Sequence, residues 1–164
     1  MVSPAANRFR QPEPKTMSFP KIASLKTAAE FAAHVNSLPI SIPLDEHLEW
    51  GAQAPLAQPL ARALSKAIGN RFCILPMEGW DGTTDGRPTE LTRRRWTNFG
   101  LSGAKLVFGG EAIAVRPDGR ANPNQLLLNL DTVAEIAQLR ELLVATHQEK
   151  FGPADDLLVG LQLT

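Results

Sequence analysis

Three short apolar runs stand out in the second half of the chain: Arg71-Phe-Cys-Ile-Leu-Pro-Met77, Lys105-Leu-Val-Phe-Gly-Gly-Glu-Ala-Ile-Ala-Val115 and Asp156-Leu-Leu-Val-Gly-Leu-Gln-Leu-Thr164. Their continuous apolar character and short length predict strands of the fully buried, parallel kind. Between them the apolar positions recur at helical spacing. After the first run, Thr89 offers an N-cap and Glu90 places an acid in the first turn, where the helix dipole favours it. Leu91, Trp96 and Phe99 supply the apolar side of that helix before Gly100 and Gly103. After the second run, Val133, Ile136, Leu139, Leu143 and Thr146 follow three- and four-residue steps, with Asp131 as the expected cap and Gly152-Pro153 as the stop. Strand, helix, strand, helix, strand predicts a parallel sheet with its chemistry at the strands' carboxyl ends. The alternation halts at Thr164, so the expectation is the opening part of an enzyme.

The first half is patterned differently. Residues 1 to 20 hold four prolines among polar residues and are expected to form a flexible arm. Thr27-Ala-Ala-Glu30 is a capping-box pattern, followed by Phe31, Val35 and Leu38 on one helical face and by Pro39 as the stop. Residues 21 to 68 therefore read as a helical lead-in, with a further short helix expected around Leu60 to Ile68, and residues 69 to 164 as the strand-bearing part.

Composition adds bounds. The 164 residues suit one domain, and 17 basic against 17 acidic residues give no overall field to draw nucleic acid or an anionic membrane. The single Cys73 cannot form an intrachain disulfide, which fits a reducing cytosol. No run resembles a signal-peptide core or approaches the ~18 to 20 apolar residues of a membrane span. The expectation is a cytoplasmic protein with neither membrane nor nucleic acid as partner.

Several local patterns carry no chemistry on inspection. Asp81-Gly-Thr-Thr-Asp85-Gly86 begins like a calcium loop, but Thr92 stands at the twelfth position, where a bidentate Glu is required. Arg93-Arg94-Arg95 reads as a solvated helix face. His34, His47 and His147 lack metal-ligand spacing, so no metal site is expected. Cys73 within a strand reads as a small buried hydrophobe.

The strand ends are more informative. Pro76-Met77-Glu78-Gly79, Glu111-Ala112-Ile113 and Gln162 would share one rim of a parallel barrel. A proline fixes the backbone, Gly and Ala allow close approach, and Gln offers both a donor and an acceptor. That mixture suits a planar heteroaromatic cofactor. No phosphate-cradling glycine motif of the dinucleotide or P-loop type is present.

At these residues the chain resembles the NADH:flavin oxidoreductase family, also called the Old Yellow Enzyme family, whose members are FMN-dependent (β/α)8 barrels. The matching stretches are Asn70-Arg71-Phe-Cys-Ile-Leu-Pro76-Met77, Asp85-Gly86-Arg87-Pro88-Thr89, Gly110-Glu111-Ala112-Ile113-Ala114-Val115 with Asp118-Gly119-Arg120, and Leu161-Gln162-Leu163, in family order and spacing over residues 69 to 164.

The resemblance implies an α/β fold of the partial TIM (β/α)8 barrel type, comprising its first three strands and two helices behind an N-terminal helical extension. It implies FMN as cofactor, NAD(P)H as reductant and a small-molecule substrate such as an activated alkene. By the same resemblance Pro76 and Met77 lie along the flavin, and Glu78 departs from the small Thr, Cys or Ala usual there. Ala112 touches the ring, Gln162 hydrogen-bonds its pyrimidine portion, and Trp80 stands near the substrate side. The family's substrate-anchoring pair, proton-donating tyrosine and phosphate loops have no counterparts in these residues. The outer strands are then expected to leave open edges through which the chain could self-associate. A non-catalytic fragment or partner-binding module is the alternative expectation.

Overall fold

A computed structural model describes residues 19–60 and 67–164. Most of the arm expected at residues 1 to 20, and the core of the helix expected around Leu60 to Ile68, lie outside them. The chain divides into two units, residues 1–48 and 49–164.

In the first unit the capping box forms as its residues dictate. Helix α1, Ala28–Asn36, starts at Thr27, whose side chain accepts from the Glu30 amide (3.2 Å) while Glu30 accepts from the Thr27 amide (3.1 Å). Val35 is its buried residue, and the Ser37 amide closes the last turn on the His34 carbonyl.

The second unit is α/β. Strands β1 (Cys73–Ile74), β2 (Leu106–Ile113) and β3 (Leu158–Leu163) form a parallel sheet in the order β1-β2-β3. Helices α2 (Glu90–Leu101) and α3 (Val133–Phe151) connect them. The expected alternation of parallel strands and helices is present.

The boundaries differ from the sequence reading in instructive ways. The first strand spans two residues instead of seven: Pro76 has no N–H to give a ladder, and the Phe72 amide is taken by the Asn70 side chain (3.1 Å). Nor is the sheet buried on both faces. Ile74 packs on the helix side, so Cys73, one residue away, faces the opposite side and is exposed, as is Phe108. Among the described residues helices cover only one face, which is why the expected burial of Cys73 fails.

That face holds the core. Trp96 of α2, Val107 and Ile113 of β2, Leu126, and Leu139 and Leu143 of α3 are each fully buried in one cluster. In α2 the expected Trp96 and Phe99 face this core, but Leu91 points to solvent, and Thr92 takes the buried place in the first turn while completing the capping box with Thr89. For α3 the N-cap position belongs to Thr132 and not to Asp131. The Asn129 side chain accepts from the amides of both Asp131 (2.9 Å) and Thr132 (3.1 Å), ordering the turn before the helix begins.

Helices α2 and α3 cross closely at Gly100. A Cβ there would sit 2.6 Å from the Leu143 carbonyl oxygen and 2.9 Å from the Thr146 Cβ. Gly100→Ala is therefore expected to destabilise by about 1–3 kcal/mol through overpacking, despite alanine's better helix propensity. Urea unfolding of the variant against the wild type measures it, and an unchanged midpoint would mean the helices separate at no cost.

Candidate functional site

Parallel register brings the expected strand ends side by side. The Ala112 amide donates to the Met77 carbonyl (3.2 Å), and Ala112 stands opposite Gln162 across β2 and β3. Between Phe108 and Ala112 the register shifts: residues 109 to 111 of β2 face residue 161 alone. Such a bulge re-aims the side chains at a strand's end, and here it turns Glu111 inward.

Glu111 is fully buried, and its position explains the loop that follows β1. One carboxylate oxygen accepts from the Gly79 amide (2.7 Å) and the other from Arg95 Nη2 (2.6 Å). Arg95 also grips Asp81 through Nε (2.9 Å) and Nη2 (2.8 Å), and reaches the Gly110 carbonyl (3.3 Å). Thr89 and Thr92 donate from their hydroxyls to the Asp81 carbonyl. The guanidinium fork thus ties the loop after β1, the bulge of β2 and helix α2 together.

The two carboxylates respond oppositely to this environment. Burial pushes Glu111 above the ordinary carboxylate range, and Arg95 only partly offsets it. For Asp81 burial also raises the pKa, but hydrogen bonds and charge from Arg95, with Thr92, outweigh it and hold the group below the usual value. Arg95 is consequently not part of a solvated arginine face, whereas Arg94 is exposed. The Asp81 to Gly86 loop is likewise committed: Asp81 binds Arg95, and Asp85 accepts from Thr83 (2.5 Å) and Arg87 (3.0 Å). Among the described residues no cluster of groups could hold a metal ion.

The loop after β2, exposed at residues 115–119, is nevertheless tied down by side-chain hydrogen bonds. Gln125 is fully buried: its Nε2 donates to the Ala112 carbonyl (2.8 Å) and its Oε1 accepts from the Ala121 amide (2.6 Å). Asn122 donates to the Gly79 carbonyl (3.0 Å), and the Gly82 amide donates to the Asn124 carbonyl (3.0 Å). Arg120 spends its donors on the carbonyls of Thr83, Thr84 and Gln125. The polar backbone at the strands' carboxyl ends is thereby satisfied largely by side chains.

The expected site residues fall into two groups. Met77 and Trp80, 71% and 70% exposed, line an open apolar groove of about 540 Å³ between β1 and α2 with Glu78, Leu75, Phe99 and Arg95. Neither Ala112 nor Gln162 lines it. Ala112 is only 2% exposed, so its methyl is not open to a ligand, while Gln162 is exposed and no described residue hydrogen-bonds its carboxamide. Pro76 is half-buried and does not line the groove. Gln125 has no place in the sequence reading, where Glu111 stands only within a strand end, Asp81 only in a rejected calcium loop and Arg95 only on a solvated face. One signal was available: an acid inside the apolar run of β2 must find a partner if it is buried.

Among the described residues no helix is long and apolar enough to cross a membrane. No protein-family model and no curated protein matches the chain.

Proposed function

We propose that this chain supplies one wall of the flavin site of an FMN-dependent oxidoreductase of the NADH:flavin oxidoreductase type. The observation that carries this reading is the row formed by the Met77 carbonyl, just beyond β1, with Ala112 and Gln162 at the ends of β2 and β3. Such ends are where parallel α/β sheets bind ligands. The residues present fit a flat heteroaromatic ring in part. Gln162 offers an unpartnered donor and acceptor, Met77 an exposed apolar surface, and Ala112 the backbone between them. Bound FMN would supply a hydride relay from NAD(P)H to an activated alkene or similar acceptor. The chain's own part is to position the ring: Gln162 would bond its polar edge, and Glu111 with Arg95 would hold the Met77 to Asp81 segment against it. Glu78 lines the same groove as Met77, so its carboxylate would lie near a ring placed against Met77 and would disfavour a reduced, anionic one.

A single wall binds weakly. FMN titrated into the full chain is expected to shift the amide resonances of Met77, Ala112 and Gln162 with an affinity on the millimolar scale, about 4 kcal/mol. Gln162→Leu should remove those shifts. Shifts confined to other residues, or none at all, would end the flavin reading.

A second reading rests on a different observation. Leu75, Met77, Trp80 and Phe108 are exposed, and a second apolar groove of about 460 Å³ lies beside β3, lined by Val133, Val159, Leu161 and Leu163 among others. Uncovered apolar surface beside both outer strands suits a module that pairs with another chain, including a second copy of itself. Sedimentation velocity over a concentration series separates the readings, since a monomer at every concentration argues against self-association.

A further inference from the structure

We propose that His147, Lys105 and Asp156 form a proton-operated latch at the amino-terminal end of the sheet, closed while His147 is neutral and opened when a proton adds to its Nε2. The three residues come from different elements: His147 from α3, Lys105 from the residue before β2, and Asp156 from the turn before β3. Lys105 Nζ lies 3.0 Å from His147 Nε2 and 2.7 Å from Asp156 Oδ1. An ammonium group can only donate, so Nε2 must accept. That places the ring proton on Nδ1, where the Gly100 carbonyl of α2 lies at 3.3 Å. The neutral tautomer is thus specified on both sides, and the imidazole bridges α2 and the start of β2.

A proton on Nε2 turns the acceptor into a second cationic donor facing Lys105. The bond at 3.0 Å becomes a like-charge contact in a largely buried setting, because His147 has no exposed surface and the Lys105 side chain only 14%. The charged groups facing the ring are Lys105, just before β2, and Asp156, in the turn before β3; α2 presents the Gly100 carbonyl, and α3 itself the Phe151 ring at 5.1 Å. Burial and then Lys105 lower the imidazole pKa, and together they outweigh the Gly100 carbonyl and Asp156. The sign follows from linkage. A histidine depressed in the folded state adds stability that is complete above its unfolded value of about 6.5, and loses it as the pH falls from there through the folded value.

Asp156 gives the latch its reach. Its carbonyl accepts from the Gly69 amide (3.0 Å), its Oδ2 occupies the space a Gly69 Cβ would need, and two residues on the Leu158 amide donates to the Lys105 carbonyl (2.8 Å). The Asp156 side chain is 42% exposed, so the repelled ammonium has a path outward with its counterion. Movement along that path loosens the start of β3 and the segment leading into β1.

Hydrogen exchange on the full chain tests this at about pH 7.5 and pH 5.5, corrected for intrinsic rates. The wild type should lose protection at Leu158–Leu163 and around Gly69 in acid, by about tenfold for each pH unit crossed between the unfolded and folded pKa values. His147→Gln, whose carboxamide can accept from Lys105 but cannot titrate, should show no such loss. Equal losses in both proteins, or none in the wild type, overturn the latch. A second measurement does not depend on that variant folding. In Lys105→Met the His147 ring, followed by its nitrogen resonances, should titrate at higher pH than in the wild type, and an unchanged titration also overturns it.

Discussion

Glu111→Ala is expected to be among the most destabilising single substitutions in the chain, costing about 3–5 kcal/mol, because it leaves the half-buried Arg95 short of one of its two carboxylates and the Gly79 amide without an acceptor. The loss is not a measure of what the ion pair contributes. Bringing Glu111 and Arg95 out of water already cost much of their attraction, and the large effect arises from the groups stranded when one partner goes. A double-mutant cycle with Arg95→Met makes the distinction: the double variant should be more stable than the sum of the single losses allows. Simple additivity, or a Glu111→Ala loss within the range of an ordinary surface change, would show that the network does not hold the loop.

The pH dependence gives the same network a second signature. Glu111 is raised in the folded state, so its contribution is full below the unfolded carboxylate value and declines as the pH rises through the folded one. Asp81 is lowered, so its contribution is present above the unfolded value and is lost as the pH falls through the folded one. Glu111→Gln should therefore remove a penalty that grows toward neutral pH, partly compensating the weaker hydrogen bond to Arg95, whereas Asp81→Asn should flatten the acid limb of the stability curve. Two acids on one guanidinium then give opposite slopes.

This network also marks where the sequence stops being legible. Helices α1, α2 and α3 could be read because each repeats an apolar position every three or four residues and carries local end signals, such as Thr27 with Glu30. Local patterns can still mislead by a residue, as at Asp131, where Asn129 organises the turn and Thr132 takes the cap. The strands were legible as elements but not in extent or burial. An apolar run states that a strand wants cover, and cannot say on which face cover exists, so Cys73 and Phe108 were misplaced while Val107 was not. Site residues depended on partners distant in sequence. Gly79 and Glu111, 32 residues apart, meet only through the bulge of β2, and Gln125 reaches Ala112 only because the loop folds back over the strand ends. No spacing rule registers such meetings, although a lone acid in an apolar run raises the question.

Trp96→Ala is the second large effect expected, about 3–5 kcal/mol, and it differs in kind from Glu111→Ala. Trp96 is fully buried in the cluster joining α2 to Ile113 and to Leu139 and Leu143 of α3, with Phe99 tilted at 6.2 Å between ring centroids. Removing the indole deletes contacts from all of these elements and leaves a cavity whose helices cannot easily close, since Gly100 already brings their backbones together one turn further on. The indole Nε1–H, however, has no hydrogen-bond partner among the described residues, so part of the side chain is buried at a cost. Trp96→Phe keeps much of the apolar area and discards that donor. It should therefore cost far less than the alanine variant, about 1 kcal/mol or below, even though it too removes volume. Urea midpoints for the pair decide the point: a phenylalanine variant as unstable as the alanine one would mean that the Nε1–H has a partner and that indole shape, beyond apolar area, locks α2 against α3.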